Sequence, residues 1–341
     1  RRNVFHAEWG RLFELFNCSP CLFEENVLAE NYHGSGSADT GAKVLLIDGI
    51  FRRNLAARNH DYVIASACYK YKELPDFVLR GSRLYHNTFA FNGGWAWNLG
   101  ARPGSPGSGS NNRWLNNIFY RCSAAGGSIA FHIGSELAED NLWSANLLSG
   151  ETRGLPVFLT WDPQKKAELP LDLAAAERAT PGRFRGNLDA DPLFTDAERD
   201  DYTLRPDSPC RGRGEFLTRV VEGAGTELRV DDARWFYDGF DIPGEEGDLL
   251  MIGPRRETAR VLRVDRERNA LRLDRAVACA PGDSVSLPYS GRAPDLGALD
   301  FAPVQPPREQ PMRFPPQVRL RPPADPAAPL LATDFEDENL E

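Results

Sequence analysis

Phe51-Arg-Arg-Asn54-Leu-Ala-Ala-Arg-Asn59 and Leu84-Tyr-His-Asn87-Thr-Phe-Ala-Phe-Asn92 are two copies of one pattern. An apolar residue, two variable residues and an Asn are followed by an apolar pair and, five places after the first Asn, a second one. Phe23-Glu-Glu-Asn26-Val-Leu-Ala-Glu-Asn31 is a third copy, and Trp114-Leu-Asn-Asn117-Ile-Phe-Tyr-Arg-Cys122 a fourth that ends in Cys. Asn3-Val-Phe, Asn141-Leu-Trp-Ser-Ala-Asn146 and Phe184-Arg-Gly-Asn187-Leu are weaker members. The interval between leading asparagines runs from 23 to 46 residues, so the unit is one coil and the excess is loop.

Short apolar stretches rich in aromatic and β-branched residues read as strands. Each unit is too short to bury its own face, so the units must stack. Stacking at about 4.8 Å per layer turns equivalent positions into columns. Apolar columns fill the interior, and the Asn columns stand at bends, where an amide bonds its neighbours above and below. The expected columns are Asn26, Asn54, Asn87, Asn117, Asn141 and, beside them, Asn31, Asn59, Asn92, Asn146. Asn is a poor helix former and no 3.6-residue period persists, which argues against a helical repeat.

These coils resemble right-handed parallel β-helix proteins of the pectin-lyase-like kind. The segment Asn187-Leu-Asp-Ala-Asp-Pro-Leu-Phe-Thr-Asp196, then Asp201-Tyr-Thr-Leu-Arg-Pro-Asp-Ser-Pro209, is similar to the last coil of secreted bacterial members, and Pro294-Asp-Leu-Gly-Ala298 to their end. The resemblance covers roughly residues 3–214 and 290–301. It implies an all-β, right-handed parallel β-helix solenoid, an extracellular or periplasmic location and a monomer acting on polysaccharide or another glycan.

The chain departs from that pattern after Cys210-Arg-Gly-Arg-Gly214. Residues 215–289 alternate like antiparallel strands: Glu227–Val230, Asp248–Ile252, Ala259–Val264, Ala270–Leu273 and Ser284–Leu287. They predict a small β-barrel or sandwich, inserted near the end of the helix to cap it or touch a ligand. Four parts follow: a β-helix over 1–214, the insert over 215–289, a return segment over 290–302, and 303–341. The last is a Pro-rich linker ending in Leu330–Leu340, which resembles the first strand of jelly-roll carbohydrate-binding modules.

Of 341 residues, 41% are hydrophobic and 26% charged, with a net charge of −9. That sign opposes phosphate-backbone binding, so no nucleic-acid partner is expected. No apolar run reaches about 18 residues, so no membrane span is expected. The basic spots Arg52-Arg53 and Arg255-Arg256 read as solvated surface. The first residue is Arg and no signal peptide is present, which we read as a shortened N-terminus lacking its first coils. Cys18 and Cys21 form a C-x-x-C without further ligands, which reads as two small thiols, or one disulfide in a secreted protein.

Function is expected where loops lengthen, after Asn31, Asn59, Asn92 and Asn146. Counted from the leading Asn of each coil, His33 and Asp61 share one position and Tyr32 and His60 another. A carboxylate stacked on an imidazole orients it and raises its pKa, which suits proton transfer. Lys43, Tyr69 and Lys70 lie on the same loops, and a lysine there neutralises a uronate carboxylate or takes a proton. Trp95 and Trp97 are candidates to stack on sugar rings. The resemblance implies a polysaccharide lyase with His33, His60 or Lys70 as base, or a glycoside hydrolase with two flanking carboxylates. A scaffold that binds glycan without catalysis is the third reading. No metal-ligating residues are singled out, and the sequence leaves open whether Ca2+ is required. The Asp189, Asp191, Asp196, Asp200, Asp201 cluster carries the hard oxygen ligands Ca2+ takes, yet its place in the terminal coil reads as turns.

Overall fold

The computed structural model describes residues 1–6, 13–31, 42–60, 63–66, 79–94, 96–98, 110–122, 129–130, 140–149, 158–162, 167–180 and 182–298. Every coil contributes a short strand to each of three sheets. The first sheet orders Val4–His6, Val27–Ala29, Leu55–Ala57, Thr88–Ala90, Ile118–Tyr120 and Leu147–Ser149, all parallel. The second runs Glu14–Cys18, Ala42–Leu46, Ile64–Ala65, Trp97–Asn98, Ile129–Ala130 and Phe158–Asp162, closed by the antiparallel Ala167–Leu171. The third runs Leu22–Glu24, Ile50–Arg52, Arg83–Tyr85, Arg113–Leu115, Leu142–Ser144 and Phe184–Arg185. This is an all-β parallel solenoid, as the repeat predicts.

The bends explain the Asn columns. Before most column asparagines stands a residue in the left-handed region, and it need not be glycine. Glu25, Arg53, His86, Asn116 and Ala145 precede the leading column, and Glu30, Arg58 and Phe91 the second, with φ of 50–59°. Such a backbone costs a non-glycine residue about 1–2 kcal/mol. The amide ladder offsets it. Asn54 Oδ1 accepts from the N–H and Nδ2 of Asn26 at 3.0 and 2.9 Å, while Asn54 Nδ2 donates to Asn87 Oδ1 at 3.0 Å and to the Phe23 carbonyl at 3.1 Å.

The columns are assigned differently from expectation at their C-terminal end. The leading column is Asn3, Asn26, Asn54, Asn87, Asn117, Asn146 and Asn187. The second is Asn31, Asn59, Asn92 and then Cys122, whose Sγ meets Asn92 Nδ2 at 3.5 Å. Asn141 belongs to a third column, before the third sheet. Ser82 N–H donates to Asn112 Oδ1 at 3.0 Å, and Asn112 Nδ2 to Asn141 Oδ1 at 3.0 Å.

Inside, register alignment stacks like on like. Phe23, Phe51, Leu84, Trp114, Trp143 and Phe184 form one column. Phe23 and Phe51 stack at 4.9 Å, Trp114 and Trp143 at 5.0 Å, and Trp143 and Phe184 at 4.5 Å. Phe89 and Phe119 repeat the arrangement on the first sheet at 5.1 Å. Burying each such side chain contributes about 2–3 kcal/mol.

The C-terminal coil end is closed by the reversed strand Ala167–Leu171 and the helix Leu173–Ala179, whose Ala176 is buried in the solenoid core. Asp172 caps that helix by accepting from Ala175 N–H at 2.6 Å. The expected end cap, the inserted β-domain, lies elsewhere. Thr218–Val230, Leu249–Ile252, Glu257–Asp265, Ala270–Val277 and Ser284–Ser286 form a closed barrel in which each strand has two neighbours. Closure removes the barrel's own sheet edges. Its apolar core is continuous with Ile50, Tyr85 and Leu115, so it covers the outer flank of the third sheet.

The first sheet is covered too. The hairpin of Phe194–Asp196 and Asp201–Leu204 places Tyr202 and Phe194 against Ala57 and Ala90, while Cys210 and Leu296 pack on Ile118 and Leu147. Three of the aspartates of this region hold turns. Asp191 accepts from Leu193 N–H, Asp201 from Thr203 N–H, and Asp196 from Arg199 N–H.

Candidate functional site

Longer stretches of chain are distributed unevenly around the solenoid. Residues 32–41, 123–128 and 150–157 lead into strands of the second sheet, and 67–78, 99–109 and 131–139 lead out of them. The third-to-first-sheet connections, by contrast, are tight bends of one left-handed residue and one Asn. The second sheet is therefore where the chain has length for chemistry.

Of the sequence-predicted site residues, Tyr32, His33, Asp61, Tyr69, Lys70 and Trp95 lie outside the described residues. His60 directly follows column residue Asn59, and its N–H donates to the Asn31 carbonyl at 2.9 Å; its side chain is exposed. The register beneath the proposed alignment of successive coils is present, since Asn31 Nδ2 donates to Asn59 Oδ1 at 2.8 Å. Gly93 is the next residue in that row, and a Cβ on it would fall 2.5 Å from the His60 carbonyl oxygen. Lys43 sits in the strand Ala42–Leu46, its backbone in register between Glu14 and Ala65.

Trp97 requires a correction. Only 1% exposed, it lies in the solenoid core against Phe51 and Phe89, and its Nε1 donates to Ser66 Oγ at 2.9 Å. A side chain packed edge-on between two rings has no face left for a sugar. Its role is structural.

Sequence reading missed the junction between solenoid and barrel. Arg52, expected on the surface, is buried. Its Nη1 and Nη2 donate to Asp248 Oδ2 and Oδ1 at 2.7 and 2.6 Å, Nη2 also to Glu24 Oε2 at 2.8 Å, and Nη1 to the Tyr85 hydroxyl at 2.8 Å. The Tyr85 hydroxyl in turn donates a hydrogen bond to the Trp235 carbonyl at 2.6 Å. One coil further, Arg83 holds Asp232 Oδ2 through Nε and Nη2 at 2.8 and 2.5 Å. The signal was present in the repeat, because Glu24, Arg52 and Tyr85 occupy one register row. Opposite charges one coil apart at one position mark a face that something covers.

Beside this junction lies a cleft of about 540 Å3 lined by Arg1, Arg2, Glu25, Arg53, Glu245 and Glu246, among others. Its charges are matched: Arg1 with Glu245 at 2.5 Å, Arg2 with Glu25 at 2.7 Å, Arg260 with Glu246 at 3.2 Å. Burial alone would raise the Glu24 carboxyl, but Arg52, Arg1 and Arg53 together hold it below its usual range. Asp232 is held low in the same way by Arg83 and Arg234 against its burial. A general acid must keep its proton near neutrality. These carboxylates are tuned the opposite way, and the junction reads as structure rather than a hydrolytic site.

Among the described residues no group of three or more His, Cys, Asp or Glu comes together to hold a metal, and no helix is long and apolar enough to cross a membrane. No family model, no curated protein and no solved structure matches the chain. The geometry defines the class: a parallel β-solenoid with a closed five-stranded barrel on one flank.

Proposed function

We propose that this protein is a secreted bacterial carbohydrate-active protein, acting on an extracellular polysaccharide as a lyase at a uronate. The supporting observation is the allotment of the three faces. The barrel covers the third sheet, the hairpin and return segment cover the first, and the long stretches of chain attach to the second. A rigid sheet bordered by long connections suits an extended polymer substrate.

In this reading a uronate carboxylate is neutralised by Lys43. His33 or His60, with Lys70 as the alternative, removes the C5 proton, and Asp61 orients the imidazole of His33. Tyr32 or Tyr69 protonates the departing glycosidic oxygen, and Trp95 stacks on a neighbouring ring. The C5–H and C4–O bonds break and a C4–C5 double bond forms, so no oxidant or water is consumed. A hydrolase on the same fold is less well supported, because the buried carboxylates Glu24 and Asp248 and the half-buried Asp232 are each held in ion pairs.

The test is incubation with a panel of uronate polysaccharides, following ultraviolet absorbance of the unsaturated product. A rise that disappears in His33→Ala and in Asp61→Asn is the expected result. Glycan retention without product on any substrate would replace the lyase with a binding scaffold. Neither product nor retention would overturn the carbohydrate reading.

A further inference from the structure

Column three runs out at the N-terminal end of the solenoid, and two thiols stand where it ends. Its members Gly49, Ser82 and Asn112 each offer a carbonyl to the first third-sheet residue of the next coil, at 2.9, 3.0 and 2.9 Å. Cys21 occupies the same position one coil earlier, its carbonyl accepting from Ile50 N–H at 2.8 Å. Side chains close the later bends. Asn112 N–H and Nδ2 reach Asn141 Oδ1 at 2.9 and 3.0 Å, Ser82 N–H reaches Asn112 Oδ1 at 3.0 Å, and Gly49 N–H reaches Ser82 Oγ at 3.3 Å. Gly49 has no side chain to extend that ladder to Cys21. Cys21 instead neighbours Cys18, three residues back across the exposed bend Ser19-Pro20, and both pack against the solenoid core.

We propose that Cys18 and Cys21 are a thiol–disulfide modification site that closes this bend covalently, where the polar ladder of column three is missing. Both residues are half-buried against the solenoid core, while the two between them are exposed. A small disulfide therefore has access. Burial, with the neighbouring Cys18, pushes the Cys21 thiol up to about 12, so Cys21 is a poor first nucleophile near neutrality. Cys18 attacks the small disulfide and releases one thiol. Cys21 then displaces the second, giving one Cys18–Cys21 bond and two reduced small thiols. The remaining described cysteines suit no such role. Cys122 and Cys210 are fully buried in separate clusters, and Cys279 lies on the barrel. This inference does not depend on the proposed lyase activity.

The experiment incubates the folded chain, in a Cys68→Ser background, with oxidised glutathione, followed by an acid quench, alkylation in denaturant and peptide mapping. The expected Cys18–Cys21 peptide is about 2 Da lighter and carries no alkyl group. Dithiothreitol restores two alkylated thiols, and Cys18→Ser leaves Cys21 alkylated throughout. Hydrogen exchange in Glu14–Cys18 and Leu22–Glu24 is expected to slow on oxidation. Two alkylatable thiols after oxidation, or a glutathione adduct that never resolves, would overturn the site. Unchanged exchange in both strands would overturn the bend-closing role.

Discussion

Arg52 of the solenoid and Asp248 of the barrel meet in a two-point ion pair, at 2.7 and 2.6 Å, with both side chains buried. Asp248 also accepts the Tyr237 N–H at 2.9 Å, so one carboxylate fixes the barrel's loop and its seat together. Asp248→Ala leaves a buried guanidinium with only Glu24 and Tyr85 as partners. The expected loss is about 3 kcal/mol, read from urea unfolding, with the barrel-proximal transition shifted first. A loss below about 1 kcal/mol would mean that the pair is solvated.

His86 stands in a left-handed bend beneath the return segment Pro294–Ala298, and burial pulls its imidazole from 6.5 down to about 3. The folded state therefore keeps His86 neutral where the unfolded chain protonates. Stability is fully present above pH 6.5 and falls as pH drops from 6.5 towards about 3. Within that window the cost approaches about 1.4 kcal/mol per pH unit. Glu24, ordinarily 4.5, and Asp232, ordinarily 3.8, add to the loss only at lower pH. Melting temperature against pH is expected to flatten between pH 6.5 and 4.5 in His86→Asn, a residue that tolerates the same φ.

Asn117 accepts twice from Asn87 and donates to Asn146 Oδ1 and the Leu84 carbonyl, at 2.8–3.0 Å throughout. Asn117→Ala leaves the buried Asn87 N–H without its acceptor and removes one bond each from Asn87 Nδ2, Asn146 Oδ1 and the Leu84 carbonyl, for an expected loss of about 2–3 kcal/mol in chemical unfolding. Asn117→Asp is expected to be comparably harmful, because it turns an oxygen towards Asn146 Oδ1. Asn3→Ala, at the end of the column, is expected to cost about 1 kcal/mol.

Trp97→Ala removes a core side chain and is expected to cost about 3–5 kcal/mol in stability. Trp97→Phe is expected to leave glycan retention unchanged on an affinity gel. Loss of retention in a folded Trp97→Phe protein would restore the sugar-stacking role.

The solenoid was legible because its period is written in residues that tolerate little replacement at a bend. The columns were less so, for a countable reason. Second-column asparagines follow leading ones by five residues, as in Asn54 and Asn59, but leading ones also follow the third column by five, as in Asn112 and Asn117. Asn141-Leu-Trp-Ser-Ala-Asn146 fits either reading, and only the hydrogen bonds decide. Similarly, Arg52 in isolation looks like a surface charge. Its burial depends on a barrel that begins at Thr218, and pairing across that distance leaves no local pattern. Of the predicted site, the alignments of His60 with Tyr32 and of Asp61 with His33 were legible in the sequence, while Lys70 lies on a stretch that follows no repeat and has no counterpart in a neighbouring coil.

Six of the seven carboxamides of the leading column, Asn3 to Asn146, point the same way, each Nδ2 aimed at the Oδ1 of the following coil. Strand peptide groups alternate and largely cancel along the axis, but these side-chain dipoles add. The solenoid thus has an electrical direction, with a carbonyl pole at its Asn3 end and an amino pole at its Asn187 end, and a charged polymer lying along it would meet unequal ends.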